Sequence, residues 1–329
     1  MPTVDRDAPT APGRTSTLGL VLMLGSVLAF TVMGALVKDL REHGMGTFEV
    51  MVWRTAPGLP FVWLELRMRG LPLRPRRPRV VALRTAFGGL AMTTNFWAVQ
   101  ALALVQHTVV HLVQPVFVAI LSPVMLGERL RGAALASLWL ALAGALVVLA
   151  PPELVSFSAA REGAVVLGAV AMPLVPGLVG LSSALFSAFA HIQLRLATGT
   201  DVPTALDPGR PPDAPETVVF HFTLFVTVVG TAIGLSMGEF RSLPTGLDLG
   251  ATTGRVAAMA LAGLGGQLMM SRAYARAEAP VVAIVAYAAI PLSAAIDAFV
   301  WGSPVGVTAY IGAGAMVLAG VLLGRARSK

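Results

Sequence analysis

This chain has 329 residues, of which 56% are hydrophobic and only 12% are charged. Because soluble domains carry about 25% charged residues, this composition excludes an ordinary water-soluble fold. The net charge of +7 does not indicate a nucleic-acid partner, since the basic residues cluster where the cytoplasmic loops of a membrane protein are expected. The chain contains no cysteine, which excludes disulfides and thiolate metal sites.

Ten long apolar stretches follow one another along the chain. A helix crosses a bilayer with roughly 20 mainly apolar residues, and each stretch has about that length. The predicted spans are 18–37, 48–66, 80–102, 105–126, 133–150, 176–196, 217–237, 252–270, 279–300 and 305–323. The runs are continuous and do not alternate as transmembrane strands do. We therefore predict an all-α membrane protein with ten transmembrane helices.

The ten spans form two sets of five whose unusual polar residues match in order. The matching pairs are Lys38 with Arg195, Arg54 with His221, His111 with Tyr287, and Pro115 with Pro291. Because five is an odd number, the second set must enter the membrane from the opposite side. Two inverted five-helix repeats of this kind place a substrate site at their interface, near the bilayer midplane.

The basic residues predict how the chain is oriented. Six arginines crowd the loop between the second and third spans: Arg67, Arg69, Arg74, Arg76, Arg77 and Arg79. Cytoplasmic loops are enriched in Lys and Arg, so this loop and both termini are predicted to be cytoplasmic, at the cell inner (plasma) membrane. The first span is interpreted as a retained helix, not a cleaved signal peptide. Lys38 and Arg195, near span ends, are expected to extend to the membrane surface.

The chain divides into five predicted segments. They are a polar N-terminal tail (1–17), a first repeat (18–150), a linker (151–175), a second repeat (176–323) and a basic C-terminal tail (324–329). Whether the apolar run 163–172 extends the sixth span or lies against the outer surface stays open. The stretch 195–216 is rich in proline and aspartate and is expected to be a mobile cytoplasmic loop.

Polar side chains inside a bilayer are costly, so each marks a candidate functional residue. In the fourth span, His107, His111 and Gln114 share one helical face. Pro115, a predicted helix breaker, frees a backbone carbonyl beside that face. We expect this stripe to line a substrate cavity. The alternative is that these side chains only hydrogen-bond neighbouring helices.

The ninth span carries a related set of residues. Tyr287 lies one turn before Pro291, the second predicted helix breaker, and its ring and hydroxyl suit an aromatic or amphipathic ligand. Asp297 is the one carboxylate well inside a predicted span. It either pairs with a buried arginine, Arg54 or Arg84, or couples its protonation to movement; the structural pair is slightly favoured.

Arg54 in the second span is a candidate for binding an anionic group, because its planar guanidinium suits a carboxylate. Pairing with Glu49 or Asp297 is the alternative. His221, at the matching position of the second repeat, is a further candidate for proton coupling. Asn95 and Gln267 are expected to line the same cavity and to supply uncharged hydrogen-bonding groups.

Sequence signatures of catalysis are missing. The chain has no His-Glu-x-x-His helix, no phosphate-binding Gly-x-x-x-x-Gly-Lys-Ser/Thr loop and no Gly-x-Ser-x-Gly turn. No catalytic residue, metal or cofactor is therefore expected, and a gradient is the expected driver of any transport.

Two stretches resemble the EamA branch of the drug/metabolite transporter superfamily. The first runs from Asn95-Phe96-Trp97-Ala98 through Gln114-Pro115-Val116-Phe117 to Leu126-Gly127-Glu128-Arg129-Leu130. The second runs from Ala273-Tyr274-Ala275-Arg276-Ala277 through Tyr287 and Ile290-Pro291-Leu292 to Asp297. The resemblance implies ten helices in two inverted repeats, cytoplasmic termini and a central cavity. One departure is Gly302-Ser303, where the family's second repeat usually has Gly-Glu, so no role is carried over to that position.

Two functions are weighed. The first is a secondary-active transporter of a small organic metabolite, such as an amino acid, nucleobase, vitamin or drug-like compound, that works by alternating access. The alternative is a membrane-embedded enzyme that acts on a lipid-borne substrate; it would need acidic residues converging with a histidine near one membrane surface. The expected partners are a small-molecule substrate and the lipid bilayer, with a homodimer as a further possibility.

Overall fold

The computed structural model describes residues 16–101, 111, 113–128, 130, 132–149, 174–240, 246, 248–301 and 307–325. Within these residues the chain folds into α-helices without a β-strand. The helices are α1 (Thr17–Glu42), α2 (Thr47–Thr55), α3 (Gly58–Met68), α4 (Pro78–Ala101), α5 (Gln114–Met125), α6 (Ala133–Leu149), α7 (Leu174–Thr198), α8 (Pro215–Ser236), α9 (Leu249–Arg276), α10 (Ala279–Val285), α11 (Ala289–Trp301) and α12 (Val307–Arg325). The all-α prediction is confirmed for this part of the chain.

Several helices have the length and the surface of membrane spans. Three are long and apolar enough to cross a bilayer: Thr17–Glu42, Gly177–Thr198 and Pro215–Ser236. Large apolar side chains also point outward, for example Val124 and Phe299, which are 85% and 90% exposed. Such side chains would be unfavourable in water and are favourable against lipid tails. The count of ten spans and the inversion of the repeats stay predictions.

Prolines mark the places where predicted spans break into shorter helices. The second predicted span is divided into α2 and α3 at Ala56 and Pro57. Pro115 lies in the first turn of α5, where its missing N–H costs nothing. Between α10 and α11 a short 3₁₀ turn, Ala286–Ala288, precedes Pro291, whose ring disfavours a regular α-helical bond to Tyr287. Pro115 and Pro291 therefore both lie at interruptions, as the sequence predicted.

The helices pack in corresponding pairs across the two halves. Helix α1 packs along α9, and α7 packs along α4. In the predicted repeats, α1 and α7 are the first spans, while α4 and α9 are the third. Helix α6 packs along α12, the fifth span of each half, and α8 packs on α2 and α3. First-half helices thus contact second-half helices throughout the interior.

The stretch 199–214 is held against the basic loop between α3 and α4, contrary to the predicted mobility. Asp213 accepts hydrogen bonds from the backbone N–H groups of Arg76 and Arg77 at 2.6 and 2.9 Å. Asp207 accepts from those of Arg79 and Val80 at 3.0 and 3.2 Å. The first N–H groups of a helix have no partner within it, so Asp207 caps α4, whereas Asp213 holds the two residues just before the helix. We call this end of the bundle the basic end.

Candidate substrate site

A row of polar side chains crosses the interior of the bundle. Gln114 on α5 donates a hydrogen bond from Nε2 to His191 Nδ1 on α7, at 2.7 Å. The His191 ring stacks on Tyr274 of α9, with ring centroids 5.0 Å apart. Arg84 on α4 lies within electrostatic range of both His191 and Tyr274. Gln114, His191, Tyr274 and Arg84 together are called the polar row; they join two helices from each half of the chain.

Arg84 is the most unusual member of the row. It is only 3% exposed, and its Nε and Nη1 atoms have no hydrogen-bond partner among the described residues. Its guanidinium carbon lies 4.6 Å from the centre of the Phe222 ring on α8. A cation over an aromatic face gains some stabilisation, but a buried guanidinium without an anionic partner remains costly. An intramembrane charge of this kind indicates function.

Gly88 leaves the space that the Arg84 guanidinium occupies. It lies one helical turn after Arg84, and a Cβ atom there would come within 2.1 Å of Arg84 Nη1 and 2.8 Å of the Phe222 ring. Any larger residue at this position would therefore displace the guanidinium from the ring. The sequence of α4 is thus adapted to hold the charge against α8.

Further polar oxygens on the same helices lack partners in the part of the chain that the structure describes. They are Thr85 Oγ1 on α4, Ser122 Oγ on α5, Gln193 Oε1 on α7, and Ser271 Oγ and the Tyr274 hydroxyl on α9. Buried polar atoms are nearly always hydrogen-bonded in folded proteins. Unpaired ones on the helices that carry a buried charge are typical of an interior that binds water or a polar ligand.

Arg54 and Gln267, two predicted cavity residues, line one cleft together. The same cleft is lined by Thr55, Gly58, Phe222, Thr223, Gly263 and Leu264. Its free volume is about 10 Å³, which is room for about one water molecule. Arg54 Nη1 lies 3.9 Å from Met92 Sδ. Phe222 borders both this cleft and Arg84, so it connects the two arginines.

The expected alternative partner of Arg54, Glu49, is engaged elsewhere. Its carboxylate accepts a hydrogen bond from the backbone N–H of Gly46 at 3.2 Å, at the start of α2. A pairing of Arg54 with Glu49 is therefore wrong. The other alternative partner, Asp297, belongs to α11, but its side chain lies outside the described part of the structure.

His111 and Asn95 form a separate polar pair. The Nε2–H of His111 donates to Asn95 Oδ1. Asn95 lies eleven residues after Arg84, roughly 16 Å farther along α4 at 1.5 Å per residue. The pair is thus closer to the end opposite the basic end. His107, which the sequence placed on the same face as His111 and Gln114, lies outside the described residues.

Tyr287 and His221 are not joined to the polar row by the contacts described. Tyr287 is 2% exposed and belongs to an apolar cluster with Leu138, Ile284 and Met316, between α6, α10 and α12. His221 donates from Nδ1 to the backbone carbonyl of Thr217 in its own helix, at 2.9 Å. Their roles in substrate binding and proton coupling stay predictions.

The basic end is closed by a network around Arg195, which we call the Arg195 latch. Arg195 is 3% exposed and contacts Glu128 Oε1 through Nε at 2.8 Å and Asp201 through Nη2 at 2.9 Å. It also donates to the backbone carbonyl of Tyr274 at 3.3 Å. The expectation that Arg195 extends to the membrane surface is wrong, because two carboxylates and a carbonyl satisfy it inside the protein.

The Leu126-Gly127-Glu128 motif supplies the acidic part of the latch. Gly127 has φ +72°, a left-handed conformation that suits glycine at a helix end, and it turns the chain after α5. Glu128 Oε2 then accepts the backbone N–H of Ala279 at the start of α10, at 2.7 Å. Burial raises the pKa of the Glu128 carboxyl, and the Arg195 guanidinium offsets part of that rise.

A second charged network lies beside the latch. Arg272 on α9 contacts Glu65 of α3 at 2.6 Å and Glu216 of α8 at 2.7 Å. Arg69 contacts the same Glu216 at 2.7 Å. These two carboxylates converge near one surface, but arginines and not a histidine engage them, which disfavours the enzyme hypothesis.

Sequence reasoning missed His191, Tyr274, Phe222 and Arg84 as members of the site. Arg84 carried a usable signal, since a charge in the middle of a predicted span is more costly than the histidines that were ranked above it. Tyr274 and Phe222 carried none, because their importance comes from which helices meet.

Comparison with known proteins agrees with this architecture. The sequence pattern of the EamA-like transporter family matches residues 17–150. The pseudopaline exporter CntI of two Pseudomonas aeruginosa strains is 26% identical over 309 residues, covering 94% of this chain and 96% of that protein. The match covers the first predicted repeat of this chain, and the similarity to these proteins supports membrane transport of a small metabolite.

Two further similarities are consistent with this reading. An uncharacterized transporter of Helicobacter pylori strain J99 is 24% identical over 285 residues, which is 84% of each protein. A solved crystal structure superimposes with a TM-score of 0.71 at 17% identity, covering 94% of this chain and 99% of the other. At that identity the likeness concerns the fold alone.

Proposed function

We propose that this protein is a secondary-active transporter that exports a small organic metabolite by alternating access. The observation that carries the proposal is the polar row, which puts a buried arginine without a charged partner among the described residues inside a bundle whose outer surface is apolar. A bundle that served only as a scaffold would gain nothing from such a charge. The export direction follows the pseudopaline exporter, whereas 26% identity leaves the substrate open.

The corresponding helix pairs support two repeats related by a two-fold axis. Such an axis places α1 on α7 and α9 on α4, so the contact of α1 with α9 becomes the contact of α7 with α4. The contact of α6 with α12 is mapped onto itself. With five spans in each repeat, the axis lies in the membrane plane and the repeats are inverted. The polar row draws two helices from each repeat, as a site at the repeat interface requires.

Alternating access requires that the basic end, which the Arg195 latch closes in this structure, open during the transport cycle. The Arg195 latch joins the ends of α5, α7 and α9 to the start of α10, and the Arg54 cleft has room for about one water. Substrate entry from the basic end would therefore separate these helices. The breaks at Pro57 and Pro291 are suitable hinge points, since the regular helical hydrogen bonding is interrupted there.

The proposed location is the inner (plasma) membrane, with both termini and the basic end in the cytoplasm. Proton coupling by Asp297 or His221 belongs to the same proposal. His111, Asn95 and Tyr287 are proposed to line the path of the substrate toward the opposite face, together with His107.

The proposal is tested in two steps. Purified protein is first screened by thermal shift against amino acids, nucleobases, vitamins and small organic acids, because a specific ligand stabilises the folded state by mass action. Each hit is then labelled and its movement measured in proteoliposomes under an imposed pH gradient. We expect gradient-dependent flux that His111→Ala and Tyr287→Ala abolish at unchanged protein content. Flux that both variants retain in full would contradict the placement of the path, and no flux of any hit would contradict transport.

A further inference from the structure

We infer that the exported metabolite is an organic anion with two acidic groups, bound by Arg84 and Arg54 beside Phe222. The inference rests on the proposed function and names the substrate class of that same site. Its starting point is charge: the buried Arg84 and the partly buried Arg54 both adjoin the same aromatic ring.

Six carboxylates of the described side chains are engaged away from both arginines. Glu65 and Glu216 bind Arg272, Glu128 binds Arg195, and Asp39 binds Arg255 at 2.7 Å. Asp207 and Asp213 accept backbone N–H groups at the start of α4 and just before it. These acidic residues therefore neutralise the ends of the bundle and leave Arg84 and Arg54 without a protein counter-ion among them.

The side chains around each arginine can bind an acidic group of the substrate. A guanidinium presents several N–H donors in a planar fork that matches a carboxylate. Beside Arg84, the buried Tyr274 hydroxyl has no partner among the described residues and can donate to the same anion. Beside Arg54, Thr223 and Gln267 line the cleft and carry a hydroxyl and an amide, whereas the Thr55 hydroxyl is bonded to the Met51 carbonyl. Each arginine thus has hydrogen-bond donors next to it for one acidic group.

Phe222 fixes the spacing of the two acidic groups. Its ring is 4.6 Å from the Arg84 guanidinium carbon and also forms a wall of the Arg54 cleft. An apolar carbon chain that packs on this ring can carry one acid group to each arginine. A substrate with one acidic group would satisfy one arginine and leave the other buried without a counter-ion, which is costly.

The test measures binding with defined probes. Purified full-length protein in neutral detergent is titrated with the dicarboxylates from malonate to adipate and with citrate, and the midpoint of thermal unfolding is followed by tryptophan fluorescence. Neutral diamides of the same lengths and sodium chloride at equal ionic strength are the ligand controls. We expect at least one polyacid to raise the midpoint in a saturable way, while acetate and the diamides do not. Absence of a response across the whole acid series overturns the inference.

Substitutions of the two arginines test where the acid that raises the unfolding midpoint binds. Arg84→Gln and Arg54→Gln are each expected to weaken the apparent affinity for the responding acid at least tenfold, whereas Arg255→Gln, at the opposite end, leaves it unchanged. An equal response in Arg84→Gln and the unmutated protein overturns the inference. Because Arg84 has no counter-ion among the described residues, Arg84→Met without ligand is expected to unfold at the same or a higher temperature. A large fall in that temperature would identify an internal counter-ion, such as Asp297, and would also overturn it.

The outcomes separate this inference from the proposed function. Gradient-driven flux of a neutral or cationic hit that Arg84→Gln leaves intact would support transport and overturn the anion class. Acid binding that depends on both arginines, without flux of that acid in either direction, would support the anion site and contradict transport.

Discussion

Ser26 and Ser183 make corresponding hydrogen bonds in the two halves of the chain. Ser26 Oγ on α1 donates to the carbonyl of Gly266 on α9 at 2.7 Å, and Ser183 Oγ on α7 donates to that of Ala91 on α4 at 2.9 Å. Each serine lies twelve residues before Lys38 or Arg195, the residues that match in the sequence repeat. A similar side chain thus fastens the first span of each half to the third span of the other.

These bonds are expected to contribute equally to stability. Ser26→Ala and Ser183→Ala should each lower the free energy of unfolding by about 1 kcal/mol, the usual net value of a buried hydrogen bond. The matched control is Ser182→Ala, because Ser182 Oγ bonds only to the carbonyl of Val179 in its own helix. Thermal unfolding in detergent measures all three variants. A loss in one serine variant but not in the other would argue against equivalent helix pairs.

Close approach of α1 and α9 predicts a contrast between two adjacent glycines. A Cβ at Gly266 would come within 2.9 Å of the Phe30 ring, whereas one at Gly265 would meet nothing within 4 Å. Gly266→Ala should therefore lower the unfolding temperature, since the ring must move. Gly265→Ala should leave it unchanged or raise it slightly, because alanine favours the helix by up to about 1 kcal/mol. Equal effects of both substitutions would contradict the packing of these two helices.

The general fold was accessible from sequence because the physical signal is local. Continuous apolar runs indicated helices, and Pro115 and Pro291, which were named as helix breakers, lie in the first turns of α5 and α11. The break at Pro57 was not predicted, because the span 48–66 was expected to be one helix. The order of the stretch 199–214 was not accessible in the same way. Its composition predicted mobility, but Asp207 and Asp213 find partners at the start of α4, and such long-range pairing leaves no local pattern.

The site was only partly accessible for a related reason. Arg54 and Gln267 were named from polarity alone, and the structure brings them to one cleft. Gln114 was named for its helical face, yet its partner, His191, comes from another repeat. Arg195 was assigned to the membrane surface, because a basic residue near a span end usually reaches it. Only the fold shows that two carboxylates meet it inside.

The contacts of Asp213 just before α4 predict how the proline-rich stretch responds to substitution. Asp213→Ala removes the acceptor for the N–H groups of Arg76 and Arg77, a loss of about 1 kcal/mol for each net hydrogen bond. The stretch 199–214 should then be cut faster by a protease added to the purified protein. Arg210→Ala is the matched control, because the 54% exposed Arg210 side chain contacts Asp207 at 4.0 Å and the Arg76 carbonyl at 3.0 Å, and such exposed contacts contribute little. Equal cutting rates in both variants would show that Asp213 does not hold the stretch.

The Arg195 latch predicts that Glu128 controls opening at the basic end. Glu128→Gln leaves the buried Arg195 with Asp201 as its charged partner and should lower the free energy of unfolding by about 3 kcal/mol. Since the chain has no cysteine, Ala277→Cys, at a position 1% exposed beside the latch, gives a single reporter of opening. A water-soluble maleimide should label it faster in the Glu128→Gln background.

A double variant separates charge from packing in the same latch. Glu128→Leu combined with Arg195→Met removes both ions, so the cost of an unpaired buried charge disappears and stability should exceed that of Glu128→Leu alone. The Ala277→Cys reporter should nevertheless stay reactive, because no ion pair remains to hold the ends of α5 and α7 together. If the double variant labels as slowly as the protein with an intact latch, apolar packing closes the basic end and the ion pair does not.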